Sequence, residues 1–321
     1  VRYLQKDKFN RVIGSYKNGA YDTLPVAGKS LELTIDDDLQ SYGEILMQCK
    51  RGSIVAIEPK SGEILALVSA PSYDPNLLVG RKRSQNYTLL YNDSIAKPLF
   101  DRALLAEYPP GSTFKPFTAL LGLQEGVMTP QSVVSCNGGY HYGNRVMKCH
   151  AHASPLDMLH AIATSCNAYF AHEYRKIIEK YPTPAQGITA WGNDLRSFGF
   201  GEYLGSDFPI GRKGYIPDAA FYNRHYGENG WRATTNISNG IGQGEVLVTP
   251  LQLANALSAI ANKGDYYTPH IVRKIDGKTT PFTQYTEVKH TRVAPQYFDP
   301  IIKGMNLSYT GGTSRGTQID S

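Results

Sequence analysis

Ser112 and Lys115 stand three residues apart in the run Tyr108-Pro109-Pro110-Gly111-Ser112-Thr113-Phe114-Lys115-Pro116. On a helix that spacing puts a hydroxyl and an amine on one face, within reach of each other. A neutral amine so placed takes the hydroxyl proton and makes the serine a nucleophile. Burial or a neighbouring positive charge lowers a lysine pKa enough for this. Ser112 is expected at the N-terminus of a helix over 113–125, where backbone N–H groups favour developing negative charge. S-x-x-K alone is common by chance, and the Pro-Pro-Gly that precedes it at a helix start is what gives it weight. Further on, Ser165-Cys166-Asn167 forms an S-x-N triplet, within a predicted helix or at a helix break. Its hydroxyl could shuttle a proton, and its amide could bind a substrate amide or orient Lys115. In isolation, a helix carrying small polar residues would explain the triplet as well.

A second group of chemistry-bearing residues comprises Cys136, Cys149, His150, His152 and Cys166, with Cys49 far away. Three thiolates and one imidazole make a closed tetrahedral zinc site of the structural type. A disulfide between two of the three, or free buried thiols, is the competing reading.

These residues need elements to hold them. Leu31 to Ile35 alternates like a strand, and Asp36-Asp37-Asp38 offers N-caps for a helix ending near Lys50. Ser53 to Ile57 and Glu63 to Val68 read as a hairpin around Pro59-Lys60-Ser61-Gly62, its apolar runs those of strands covered on both faces. A helix is expected over 155–175 with Pro155 in its first turn. Another spans 249–263, opened by the capping box Thr249-Pro250-Leu251-Gln252. Residues 1–30 read as an irregular connector and 180–245 as loops with short elements, followed by β-like segments late in the chain. This order suits an α+β fold, an antiparallel sheet flanked by helices.

The bulk numbers agree. Of 321 residues 41% are hydrophobic and 19% charged, with a formal charge of +5. The basic residues are scattered, which argues against nucleic acid as a partner; the balance suits anionic wall polymers or lipid head groups, and an ordinary basic surface explains it equally well. No apolar run is long enough to span a membrane, and no signal peptide is visible at Val1.

S-x-x-K followed by S-x-N is the signature of the penicillin-binding serine transpeptidases and serine β-lactamases. The chain resembles more particularly the class B elongation transpeptidases, the penicillin-binding protein 2 group. The matching stretches include Leu33 to Asp36, Gly52 to Pro71, Pro98 to Pro116, Ser165 to Phe170, Ile241-Gly242-Gln243-Gly244-Glu245 with Thr249 to Gln252, Gly304-Met305, and Gly312-Thr313 with Arg315-Gly316-Thr317. The resemblance implies an antiparallel sheet with an all-helical subdomain. It implies Ser112 as acyl-accepting nucleophile, Lys115 as general base, Ser165 as proton relay and Asn167 as substrate holder. Implied partners are peptidoglycan stem peptides, β-lactams and a glycan-polymerising membrane protein. Some members hold a zinc with the middle residue of S-x-N as one ligand. That implies Cys166, Cys136 and Cys149 with His152 or His150. It also implies a location on the periplasmic face of the inner membrane, through an N-terminal anchor absent from this chain. The expected organisation is 1–30 as a connector and 31–321 as a transpeptidase domain. The family's third motif, K-T-G or K-S-G, is not matched by Lys278-Thr279-Thr280, so the domain is expected to be incomplete at its C-terminal end. Tyr142-Gly143-Asn144 matches a short β-lactamase motif but precedes S-x-N, and is read as coincidence. A serine β-lactamase and a non-catalytic β-lactam sensor or scaffold are the alternatives.

Overall fold

Asp36 opens the first helix, α1 (Asp37–Leu46). Its carboxylate accepts from the Leu39 N–H, and Asp37 and Asp38 place negative charge at the positive end of the helix dipole. The helix ends at Leu46, short of Lys50, and Gly43 is its one buried residue. A Cβ at Gly43 would stand 2.8 Å from Val68 Cγ2. α1 therefore rests on the sheet through its glycine rather than through an apolar stripe.

The computed structural model describes residues 1–279 and 282–319. Thr280, the last residue of Lys278-Thr279-Thr280, and Ser321, where the domain expectation ends, lie outside the described residues. Strands β1 (Gly52–Ile57) and β2 (Ile64–Ala70) pair antiparallel, Gly52 opposite Ala70 and Ile57 opposite Ile64. The expected hairpin is there, but it is not covered on both faces. In β2 the residues Ile64, Ala66, Val68 and Ala70 are buried while Leu65, Leu67 and Ser69 are half-buried. All of β1 is half-buried. An apolar run hides this alternation, because period-2 patterning is invisible when both faces carry apolar residues.

The chain divides into two compact units, Val1–Leu33 with Val272–Thr280, and Thr34–Ile271 with Pro281–Ser321. In the first, residues 1–30 are not irregular throughout. Leu4–Lys6 pairs antiparallel with Val12–Ser15. The Asp7 carboxylate holds the turn by accepting from the N–H groups of Phe9 and Arg11. Both strands are solvent-accessible, so no apolar periodicity announced them. Leu31–Leu33 pairs antiparallel with Val272–Ile275, which pairs with Lys278–Thr279.

The second unit is built around α2 (Lys115–Gln124), buried at every residue from Lys115 to Leu123. Phe114 and Phe117 pack on Phe200, with ring centroids 5.6 and 5.0 Å apart. A short hairpin, β3 (Gly139–Tyr142) and β4 (Arg145–Lys148), precedes two further helices. The single helix expected over 155–175 is in fact α3 (Met158–Ala163) and α4 (Asn167–Glu179), broken at Ser165, whose φ is 54°. Pro155 sits outside them in a cis peptide, and Asp157 is the N-cap of α3. The loop-rich reading of 180–245 missed α5 (Pro184–Arg196), which has Thr183 as N-cap and Pro184 in its first turn. α6 (Pro250–Ala261) carries the anticipated capping box between Thr249 and Gln252. The late β-like segments are strands of two to four residues, and a long helix follows them, α7 (Phe298–Gly311). The described strands form five small antiparallel sheets, so the α+β class holds with narrower sheets than anticipated. Among the described residues no helix is long and apolar enough to cross a membrane.

Candidate active site and thiol cluster

Ser112 lies in a 3-10 turn, Gly111–Phe114, and α2 starts only at Lys115. Pro116 is the reason. It has no N–H to offer the Ser112 carbonyl, and the Lys115 N–H bonds that carbonyl instead. Gly111 has φ 61° and donates its N–H to Gly242 O at 2.8 Å. Gly242 has φ 66°, and a Cβ there would meet Gly111 O at 2.4 Å and Phe114 Cβ at 2.5 Å. Only glycine allows that approach, which braces the turn from behind. The Gly242-x-Gly244 pair in the sequence was the one signal for this role. Ser112 itself is exposed, and its hydroxyl makes no hydrogen bond among the described residues.

Lys115 is 1% exposed. Its ammonium donates to Ser165 O at 2.6 Å, Ser165 Oγ at 2.8 Å and Asn167 Oδ1 at 2.7 Å. Burial lowers its pKa to about 8, against the pull of the Cys149 and Cys166 sulfurs toward the charged form. The Asn167 amide is fixed at its other end, donating to Lys148 O at 2.9 Å. Ser112, Lys115, Ile162, Ser165, Met305 and Thr313 line one cleft of about 280 Å³. A wider hollow of about 460 Å³ lies between Leu104, Tyr203, Phe208 and Leu251, but it brings no amine beside a hydroxyl.

The S-x-N triplet is a turn with three jobs. The Ser165 N–H bonds Ile162 O and the Cys166 N–H bonds Ala161 O, closing α3 in a Schellman motif with left-handed Ser165 where glycine is usual. Cys166 is then the N-cap of α4, its sulfur accepting from the Tyr169 N–H at 3.4 Å. Asn167 is the first residue of that helix. So Ser165 and Asn167 face the lysine while Cys166 faces away.

On that other side, Cys136, Cys149, His152 and Cys166 bring their ligand atoms within 4.8 Å of one another. His152 joins the thiols, and His150 instead sets its ring edge-on to His152 at 5.4 Å. All four cysteines are free thiols, so the disulfide reading is not met. The set fits a tetrahedral zinc, whose sulfur ligands at ~2.3 Å would stand about 3.8 Å apart. The groups that surround these four side chains fit as well. His152 Nδ1 is 2.7 Å from Ala153 O, which leaves Nε2, 3.2 Å from Cys149 Sγ, as the free lone pair. Cys149 Sγ accepts from the Asn167 N–H at 3.2 Å. Burial pushes the Cys149 thiol up, but His152 and the N–H groups of Asn167 and Ala168 outweigh it and its pKa is lowered. Burial holds the Cys166 thiol up at about 12.

The profile of the family described as penicillin binding protein transpeptidase domain matches residues 52–321. Peptidoglycan D,D-transpeptidase MrdA of Acinetobacter baumannii is 37% identical over 264 residues, 81% of this chain and 37% of that protein. The chain thus spans little more than a third of that relative's length. Among solved structures, penicillin-binding protein 2 of Pseudomonas aeruginosa in complex with WCK 5153 gives a TM-score of 0.79 at 34% identity, over 91% of this chain and 62% of that one. Penicillin-binding protein 2 of Helicobacter pylori, solved in a complex with MreC, gives 0.74 at 25% identity, over 95% and 53%. A serine on a glycine-braced turn, a buried lysine bonded to S-x-N and a matching profile converge on one assignment: the chain belongs to the penicillin-binding protein transpeptidase family.

Proposed function

We propose that the protein is a peptidoglycan D,D-transpeptidase of cell elongation that works through an acyl-enzyme on Ser112. Ser112 Oγ attacks the carbonyl carbon of the penultimate D-alanine of a donor stem peptide, and its proton passes to neutral Lys115. The terminal D-alanine leaves with that proton on its amine. The amine of a neighbouring stem peptide then attacks the acyl carbon, forms the cross-link and returns the proton to Ser112 through the same base. Ser165 relays protons, and Asn167 orients Lys115 and meets the substrate amide. A β-lactam presents a carbonyl of the same kind and is held as a stable ester.

The observation that carries this reading is the buried amine of Lys115, bonded to Ser165 and Asn167, in one cleft with the exposed Ser112. Cys136, Cys149, His152 and Cys166 would hold a zinc ion. Bound there, it would supply a closed structural clamp and no reacting group. It would pin Cys166, and so the turn that carries Ser165 and Asn167. The Helicobacter pylori relative solved with MreC supports work within a wall-synthesis assembly. A membrane-embedded glycan polymerase is the expected companion, on the periplasmic face of the inner membrane.

Intact mass after incubation with a penicillin tests the proposal. The full-length protein should gain one stable adduct, lost in Ser112→Ala. No adduct would leave the scaffold reading in its place. An adduct that turns over rapidly would point to a β-lactamase.

A further inference from the structure

The Schellman closure of α3 leaves the Ala163 carbonyl unfilled by its own segment. His160 O, Ala161 O and Ile162 O receive the N–H groups of Thr164, Cys166 and Ser165. Ala163 O receives nothing from that turn. It accepts instead from the Thr313 N–H at 3.0 Å, and Thr313 Oγ1 stands 3.4 Å away. An orphan carbonyl at a helix end is a weak point. Here it lies two residues before Ser165, whose left-handed backbone is itself strained for a residue with a side chain.

The approach that makes this bond depends on glycine. A Cβ on Gly312 would stand 2.1 Å from Ala163 O and 2.8 Å from Ala163 C. One face of α7 closes on α3 in the same way, since a Cβ on Gly304 would stand 2.9 Å from Ile162 Cδ1. The end of α7 is ordered for the purpose. Ser308 O accepts from the N–H groups of both Gly312 and Ser314, and Ser308 Oγ lies 3.3 Å from Thr313 Oγ1. Thr313 and Ser314 also line the cleft beside Ser112.

We propose that Gly312 and Thr313 are positioning residues for acyl transfer, clamping the end of α3 so that Ser165 presents both its carbonyl and its hydroxyl to Lys115. The inference rests on the transpeptidase reading given above. Among the described residues neither Gly312 nor Thr313 hydrogen-bonds Ser112 or Lys115. The clamp sets the place of two of the three acceptors of the Lys115 amine, and a misplacement of about 1 Å in such a shell costs on the order of a hundredfold in rate.

Such a role separates the acylation step from binding. The experiment is stopped-flow acylation of the full-length protein by a fluorescent penicillin, resolved into the dissociation constant of the first complex and the first-order acylation constant. Melting temperatures are read alongside. Gly312→Ala should lower the acylation constant at least about tenfold with the dissociation constant nearly unchanged. Thr313→Val should lower it roughly threefold, and Thr313→Ser should restore it to near the unsubstituted value. Should Gly312→Ala fail to fold, the Thr313 pair decides. Acylation within twofold of the unsubstituted protein in Gly312→Ala, or a loss confined to the dissociation constant, would overturn the proposal. So would equal behaviour of Thr313→Val and Thr313→Ser. Absence of a Ser112 adduct in the unsubstituted protein would instead sink the transpeptidase reading, and the clamp with it.

Discussion

Lys115 and Glu173 are both buried where α2 packs on α4, the lysine 1% exposed and the glutamate 0%. They are treated in opposite ways. Lys115 has three acceptors within 2.8 Å. Neither oxygen of Glu173 has a hydrogen-bond partner among the described residues. The carboxyl lies so close over α2 that a Cβ on Gly122 would meet Oε1 at 2.0 Å. Burial pushes its pKa well above the ordinary range, and the pull of Lys176 does not offset this. The same low-dielectric interface thus keeps one group able to change protonation and the other neutral. The difference lies in the acceptors that the S-x-N turn supplies at one end only.

Removing the group at the lysine end should have the largest effect. Lys115→Met should lower the rate of Ser112 acylation by a penicillin ~10²–10⁴-fold, the usual range for a lost general base. A loss smaller than tenfold, in a protein that circular dichroism shows to be folded, would remove Lys115 from that role.

A pH series sharpens the same contrast. With its pKa lowered to about 8 by burial, Lys115 gains its neutral form as pH rises toward that value. The acylation rate should climb about tenfold per pH unit from 6 and level off near 8. The titratable groups that face the lysine are the Cys149 and Cys166 thiols, which pull its pKa upward, and His152. A rate flat between pH 6 and 9 would count against a titrating lysine.

The thiol side of the turn is the third point of attack. Three thiols and an imidazole within 4.8 Å are only partly satisfied by backbone N–H groups. If a zinc ion binds there, chelation or Cys149→Ser should lower the melting temperature by roughly 10 °C, since a tight ligand contributes several kcal/mol of folding free energy. An unchanged melting curve, with no zinc by elemental analysis of the purified protein, would return these residues to plain buried thiols.

Local chemistry was legible in the sequence and close approach was not. The Asp36 cap, the Thr249–Gln252 capping box and the β1–β2 hairpin depend on neighbours in sequence, and each formed. Ser112, Lys115, Ser165 and Cys166 were singled out by spacing and clustering, and a helix break at the S-x-N triplet was one of two readings, but the 3-10 turn at Ser112 was not foreseen. Pro116 converts the first turn to 3-10 geometry, and left-handed Ser165 divides a helix that periodicity ran together. The choice of His152 over His150 turns on which way a loop folds, which spacing does not encode. Gly242, Gly312 and Thr313 act across long sequence separations, and single-chain patterning is blind to such contacts. Glu173 gave no signal at all, because a glutamate on a helix is ordinarily read as a solvated face.

That glutamate offers the smallest effect and the one that isolates the comparison. Its folded pKa is raised above the ordinary 4.5, so the sign is that of an acid that resists ionising. Below about pH 4.5 folded and unfolded chains both keep the proton, and the group imposes no pH-dependent penalty. Above it the unfolded chain releases the proton while the folded chain holds it. Stability then falls by about 1.4 kcal/mol per pH unit until the folded carboxyl ionises. Glu173→Gln keeps the shape and removes the titration, and its amide is no better partnered than the neutral acid it replaces. At pH 5 the two proteins should unfold at nearly the same urea concentration. By pH 8 the variant should be the more stable of the two, with acylation of Ser112 within about twofold. An equal gap at both pH values would mean that the carboxyl finds a partner after all, and the two ends of the interface would no longer be opposites.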